Sequence, residues 1–242
     1  MPGKLFMVAT PIGNLEDATF RAIRTLKDVD AIFSEDTRVT RKLLARYDIH
    51  KPLFPYYQHS GPKALERLLT MLREGMQVAY VSCAGTPAVS DPGPRLIAAA
   101  VKEFGPDIAI VPIPGSSAVT AIASLAPVSM DEFHFFGYPP QKKGRKMYFQ
   151  DVAENSYPGI LFESPHRIKK TIAELLAALG VERRVVVGRE LTKKFEEVMR
   201  GTLQEVADRI GREKPRGEYV ILIEPQNIRA SHKNTTQESV YA

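Results

Sequence analysis

Cysteine is nearly missing from this chain of 242 residues: Cys83 stands alone. An intramolecular disulfide is therefore excluded, as are multi-cysteine zinc sites and iron–sulfur clusters, and a reducing, cytoplasmic setting is expected with no metal. No apolar run approaches the roughly 18 residues needed to span a bilayer, so no membrane association is expected. Ahead of the polar turn Thr10–Asn14 only Leu5–Ala9 is continuously apolar, too short for a secretory core. The first strand-to-helix turn has neither G-x-G-x-x-G nor G-x-x-x-x-G-K-[ST], which argues against a dinucleotide-binding enzyme and a P-loop NTPase. No internal repeat is found. What the chain does have is 44% hydrophobic and 25% charged residues, the make-up of a soluble globular protein with a real core. Its net charge of +5 favours an anionic partner.

Short apolar runs alternate with helical patterns in the first half: Leu5–Ala9, Ala31–Ser34, Leu53–Tyr57, Val78–Ser82 and Ile108–Val111. Between them lie the stripes Leu65, Leu68, Leu69, Leu72 and Ile97, Ala100, Val101, Phe104, which predict a parallel sheet with crossover helices. After Pro112 and Pro114 the pattern changes to a small-residue helix over Ser116–Ser124, an aromatic run (Phe133, Phe135, Phe136, Tyr138) and a basic segment, Gln141–Lys146. Strands at Gly159–Phe162, Val185–Gly188 and Tyr219–Ile223 follow, with a helix striped by Ile168, Ile172, Leu175, Leu176 and Leu179. The expected organisation is an α/β domain over 1–114, a second over 115–225 and a polar tail over 226–242.

Three predicted strands run into loops rich in glycine and proline: Thr10-Pro11-Ile12-Gly13-Asn14, then Ser82-Cys83-Ala84-Gly85-Thr86-Pro87 continuing to Ser90-Asp91-Pro92-Gly93, and Pro112-Ile113-Pro114-Gly115-Ser116-Ser117. The carboxyl ends of parallel strands collect on one edge, so these loops are expected to line a binding site whose main-chain groups do the holding. Two clusters set a carboxylate beside a cation at a strand end, Glu35-Asp36-Thr37-Arg38 and Arg189-Glu190-Leu191-Thr192-Lys193. Such groups can orient a hydroxyl nucleophile, or simply fix a loop through an ion pair. Glu163-Ser164-Pro165-His166-Arg167 is similar, its histidine more in keeping with a cap or surface position than with a base.

Together with Val8-Ala9-Thr10-Pro11-Ile12-Gly13-Asn14-Leu15, these blocks, in this order, resemble the ribosomal small-subunit methyltransferase I family of the tetrapyrrole-methylase superfamily. The resemblance implies two α/β domains with S-adenosylmethionine in a cleft between them (a class III methyltransferase), a homodimer, and 2'-O-methylation of a cytidine in the decoding region of 16S rRNA. The expected cofactor contacts are Pro11, Gly13, Cys83, Ala84, Gly85, Thr86, Pro87, Asp91, Pro114, Gly115 and Ser116. One departure stands out: where the family usually reads S-D-A-G-T-P, this chain has Ser82-Cys83-Ala84. If the missing carboxylate holds the cofactor's ammonium, its loss costs about 1.5–3 kcal/mol.

Methyl transfer to an alcohol needs alignment and help for a weakly acidic hydroxyl. Lys193 and Glu190, with Asp36 or Glu35, are the expected catalytic groups. Arg38, Arg145, Arg167 and Arg189 are expected to contact the RNA substrate, as free rRNA or an assembled small subunit, with further lysines at 142, 143, 146, 169 and 170. The competing expectations are a methyltransferase for corrin or porphyrin precursors, and an rRNA-binding protein weakened in catalysis by Cys83.

Overall fold

The computed structural model describes residues 1–58, 60–212 and 214–226. Of the expected tail, only Gln226 falls inside the described residues. The chain divides into two compact units, Met1–Ser124 with Gly188–Glu197, and Leu125–Val187 with the chain from Val198 onward. A segment from the second half of the sequence thus folds with the first unit.

In the first unit, β1 (Lys4–Val8), β2 (Ala31–Ser34), β3 (Leu53–Pro55), β4 (Val78–Val81) and β5 (Ala109–Ile113) pair in parallel in the order β3-β2-β4-β1-β5. Every residue of β2 and β4 is buried, as expected of central strands covered on both faces. One face packs Leu5, Met7, Phe33 and Tyr80 against Leu68, Leu72, Leu96 and Ala100; the other packs Val8, Ile32 and Val81 against Ala22, Leu26, Leu43 and Leu44. The covering helices are α1 (Phe20–Asp28) and α2 (Thr37–Arg46) on one side, and α3 (Pro62–Arg73) and α4 (Gly93–Phe104) on the other. The stripe expected on α4 is turned slightly: Leu96 and Ala100 face the sheet, while Val101 is 48% exposed. A short α5 (Ala118–Ala123) follows β5. Pro112 sits on β5, an edge strand, where the missing N–H leaves no ladder position empty.

The second unit carries its own sheet, in the order β6 (His134–Gly137), β7 (Gly159–Glu163), β10 (Tyr219–Ile223), β8 (Arg184–Arg189), β9 (Glu197–Thr202). Here β6 and β7 run parallel while β7 and β10 are antiparallel. Helices α6 (Arg145–Glu154), α7 (Ile168–Leu179) and α8 (Leu203–Arg212) contribute Phe149, Ile172, Leu175, Val206 and Ile210 to a core against Leu161, Val185, Val187 and Ile221. Among the described residues no helix is long and apolar enough to cross a membrane, and no group of three or more His, Cys, Asp or Glu side chains is arranged to hold a metal ion.

Candidate active site

Since β2, β4, β1 and β5 are neighbours and parallel, the loops at their carboxyl ends meet on one rim. The backbones of Thr10 and Gly85 exchange two hydrogen bonds of 3.0 Å, joining the first loop to the fourth. The Ala9 N–H donates to the Ile113 carbonyl at 3.0 Å, and the Thr86 hydroxyl to the Ser116 carbonyl at 3.3 Å, bringing in the fifth. The Ser116 hydroxyl donates in turn to the Asp17 carbonyl at 3.2 Å. Gly115 suits a close approach, because a Cβ there would stand only 3.0 Å from the Ala9 Cβ. Gly85 is favoured by its φ of +78°, a left-handed backbone that glycine adopts without strain. Further along, Ala88 and Ser90 also take left-handed angles, φ 73° and 65°, and Asp91 secures that bend by accepting N–H groups of Ala88 (3.0 Å) and Gly93 (2.7 Å).

The acidic cluster after β2 divides its work. Asp36 caps α2, accepting the Arg38 N–H at 2.8 Å, and pairs with the Arg38 guanidinium at 2.8 Å. These bonds hold its carboxyl down at about 2, too weakly basic to take a proton from an alcohol. Glu35 instead turns toward the fourth loop, its Oε2 accepting the Cys83 N–H at 3.2 Å. Burial, then the Glu35 carboxylate, push the Cys83 thiol up to about 12, so it stays neutral and unreactive near pH 7.

The segment Gly188–Glu197 completes the rim of the first unit. Its Glu190 and Thr192 adopt φ 51° and 67°, left-handed angles that cost non-glycine residues about 1–3 kcal/mol each and gather at functional sites. The kink is secured by the Thr192 hydroxyl, which accepts the Asn14 N–H at 3.2 Å, and by the Glu196 carboxylate, which accepts the Thr192 N–H. Its outcome is to lay the Lys193 stem across Gly13, so closely that a Cβ on Gly13 would come within 2.3 Å of Lys193 Cγ. There the Lys193 ammonium bonds Glu190 Oε1 at 2.7 Å, both side chains being largely but not wholly shielded. Gly13, Asn14, Leu15, Glu16, Arg46, Thr192, Lys193 and Lys194 line an open recess of about 610 Å³ at this point.

The arginines expected to grip RNA are differently placed. Only Arg38 keeps its side chain in solvent, at 84% exposure. Arg189 is committed to Glu197 at 3.1 Å. In the second unit, Arg145 is 6% exposed and bonds both oxygens of Glu174, the Thr171 hydroxyl at 2.8 Å and the Pro140 carbonyl at 2.9 Å. Arg167 pairs with the buried Glu163 at 2.9 Å and donates to the Pro139 carbonyl at 3.0 Å. Glu163 also accepts from the Thr171 hydroxyl and the Ser164 N–H. The expectation that Arg145 meets phosphate is therefore corrected: its charge is consumed in the interior, where it and Arg167 tie down the two prolines ahead of the basic segment. His166 is exposed in the turn before α7.

Comparison with known proteins places this arrangement. Residues 4–207 match the family described as Tetrapyrrole (Corrin/Porphyrin) Methylases. The ribosomal RNA small subunit methyltransferase I of Halalkalibacterium halodurans is 42% identical over 239 residues, covering 98% of this chain and 81% of that protein. The chain belongs to the ribosomal RNA small subunit methyltransferase I family. As a member of this methyltransferase family it uses S-adenosylmethionine. Its α/β architecture of two sheets is also that of a cobalt precorrin-4 methyltransferase, at 22% identity and a TM-score of 0.67 over 91% of this chain and 94% of that one. The uroporphyrin-III C-methyltransferase of Thermus thermophilus, solved with S-adenyl homocysteine, aligns at 18% identity and a TM-score of 0.63, covering 91% and 97%.

The rim suits such a cofactor. Thr10 Oγ1 and Asp91 Oδ2 are buried and, among the described residues, lack a hydrogen-bond partner, offering one hydroxyl and one anionic acceptor. Gly85 and Gly115 keep the loops free of side chains where the backbones crowd together. A carboxylate at position 83, as the resemblance implies, would have a neighbour of the same charge in Glu35. Thr10 was not among the expected cofactor contacts, and neither was the orphaned state of Asp91 foreseen; the signal for Thr10 was its place two residues past β1, at the head of the first loop.

Proposed function

We propose that this chain methylates the 2'-hydroxyl of a cytidine ribose in the decoding region of 16S rRNA, acting in the cytoplasm as a homodimer. The observation that carries the reading is the Lys193–Glu190 pair, folded by two left-handed residues onto Gly13, on the rim where the glycine–proline loops converge. When bound, S-adenosylmethionine supplies an electrophilic methyl group on a sulfonium. Thr10, Gly85, Thr86, Asp91, Gly115 and Ser116 would hold it, chiefly through main-chain groups, with Pro11, Ala84, Pro87 and Pro114 shaping the loops and Cys83 supplying a neutral wall. The Lys193 ammonium fixes the ribose oxygen and the Glu190 carboxylate accepts its proton, the two being close enough to share one hydroxyl between them. Arg38, exposed beside the rim, contacts phosphate. The homodimer and the cytidine rest on the family resemblance alone.

The test is Lys193→Ala. Turnover on purified, unmethylated small subunits is expected to drop by about 10²- to 10⁴-fold, with S-adenosylmethionine affinity nearly unchanged by calorimetry. Equal turnover removes Lys193 from the site. Mapping ribose methylation on rRNA from cells with and without the gene identifies the nucleotide; a methyl found on a base, or none lost, refutes the assignment.

A further inference from the structure

The recess beside Lys193 is larger than one hydroxyl requires, and the groups around it are of mixed chemistry. Arg46, at the end of α2, and Lys194 bring two exposed cations, against one carboxylate on the wall, Glu16. Lys193 is already matched by Glu190. Next in the chain stands Phe195, 69% exposed, its ring 5.7 Å from the Lys194 ammonium. An exposed phenylalanine alone is ordinary. Phe20 is more exposed still, at 94%, yet it opens α1, whereas Phe195 directly follows Lys194, the last residue of the recess wall. What distinguishes Phe195 is its mounting. The segment before it is held by Asn14 through Thr192, and the Glu196 N–H just after it donates to the Lys193 carbonyl at 3.0 Å. The ring is thereby presented on a braced loop, next to cations and two residues from the proposed catalytic lysine.

Cations that hold phosphates, with an aromatic face beside them, are the means by which proteins bind unpaired nucleotides. We propose that this recess seats the single-stranded RNA next to the reacting ribose, with Arg46 and Lys194 on its phosphates and Phe195 stacked on an adjacent unpaired base. The proposal rests on the RNA-methylation reading above. A paired base has no free face to offer, so the seat selects single strands, loops or bulges over duplex. Glu16 opposes phosphate, and its removal therefore acts in the reverse direction from removal of Arg46.

The test uses the full chain, a fluorescent single-stranded RNA carrying the methylated sequence and its duplex form, with anisotropy read across a salt series, and single-turnover methyl transfer to small subunits. Phe195→Ala is expected to weaken single-strand binding by about 5- to 150-fold. Phe195→Tyr should bind as the parent does, while Phe195→Leu, equally apolar but without a stacking face, should resemble the alanine variant. Arg46→Ala should flatten the slope of log affinity against log salt by about 1; Glu16→Gln should tighten binding. S-adenosylmethionine affinity should hold in all of them. The seat is overturned if Phe195→Leu binds like the parent, or if Phe195→Ala changes the oligomeric state instead of RNA affinity, which would make the ring a contact between copies. Parent protein that methylates RNA while every variant matches it overturns the seat and leaves the functional reading standing; parent protein that transfers no methyl to RNA overturns that reading, and the seat with it.

Discussion

Replacing Arg145 with methionine tests the claim that its charge is internal scaffolding. The substitution keeps an unbranched apolar stem and removes every donor. The Thr171 hydroxyl, fully buried, loses the 2.8 Å bond it accepts but keeps the one it donates to Glu163, and the Pro140 carbonyl loses its 2.9 Å donor. Each abandoned acceptor costs about 1 kcal/mol, the low end for a buried unsatisfied group, because each is only partly deprived. Glu174 loses its ion pair, but its side chain is 32% exposed and rehydrates, so the penalty falls well below the roughly 3–5 kcal/mol of a fully buried broken pair, to about 1–2 kcal/mol. The sum is about 3–4 kcal/mol, which for a chain of this size is a fall in Tm of roughly 6–16 °C. Urea unfolding at fixed pH, followed by circular dichroism, measures it. The double variant Arg145→Met/Glu174→Met removes both charges and should regain about 1 kcal/mol over the single one, since an apolar pair often replaces an ion pair at little cost. A single variant within about 1 kcal/mol of the parent, well under what these lost contacts predict, would refute the reasoning, and so would a double variant less stable than the single.

Two further outcomes follow from the rim. Gly13→Ala places a methyl 2.3 Å from Lys193 Cγ; the flexible lysine gives way, so stability should change little while turnover drops by about 10²-fold, the scale of a 1 Å misplacement, and thermal melts paired with methyl-transfer rates separate the two effects. Cys83→Asp installs the carboxylate that the resemblance implies at this position but sets it among Glu35, Asp36 and Asp91, the groups already acting on the thiol. Without cofactor that variant should melt below the parent through like-charge repulsion, and S-adenosylmethionine should raise its Tm by more than it raises the parent's; an equal rise in both would show that position 83 does not meet the cofactor's cation.

The parallel sheet was legible because its central strands are apolar at nearly every position, Ser34 being the polar end of β2, and are separated by helix-period stripes, a pattern that burial on both faces imposes. The convergence of the three loops followed from the same fact, since parallel strands end together. What could not be read was anything fixed by long-range return of the chain. Glu197–Thr202 and Leu203–Arg212 form β9 and α8, yet the strand carries Glu197 and Arg200 and pairs at a sheet edge, where alternation is weak. The fold-back of Gly188–Glu197 onto Asn14 spans 178 residues, a contact that leaves no trace in local periodicity. Charge deceived in the same way: Arg145 and Lys146 are adjacent in a basic run, but the helix begins there and turns one inward and the other to solvent.

The two carboxylate–cation clusters show how far residue type alone carries a mechanism. Glu35-Asp36-Thr37-Arg38 and Glu190-Leu191-Thr192-Lys193 look alike as strings, and each pairs an acid with a base at a strand end. In the first, Asp36 is bound by the helix it starts and by Arg38, and bonds of this kind stabilise its anion so strongly that it has no use for another proton. In the second, no helix follows; the backbone is instead forced into left-handed angles at Glu190 and Thr192, and the strain is spent on aiming the ammonium and carboxylate at the rim. A helix cap gains its stability locally and would be kept by any sequence that needs α2. A strained kink has to be held by bonds elsewhere, here from Asn14 to Thr192 and from Thr192 to Glu196, and that asymmetry is what supports the proposal that Glu190 and Lys193, rather than Asp36, handle the proton.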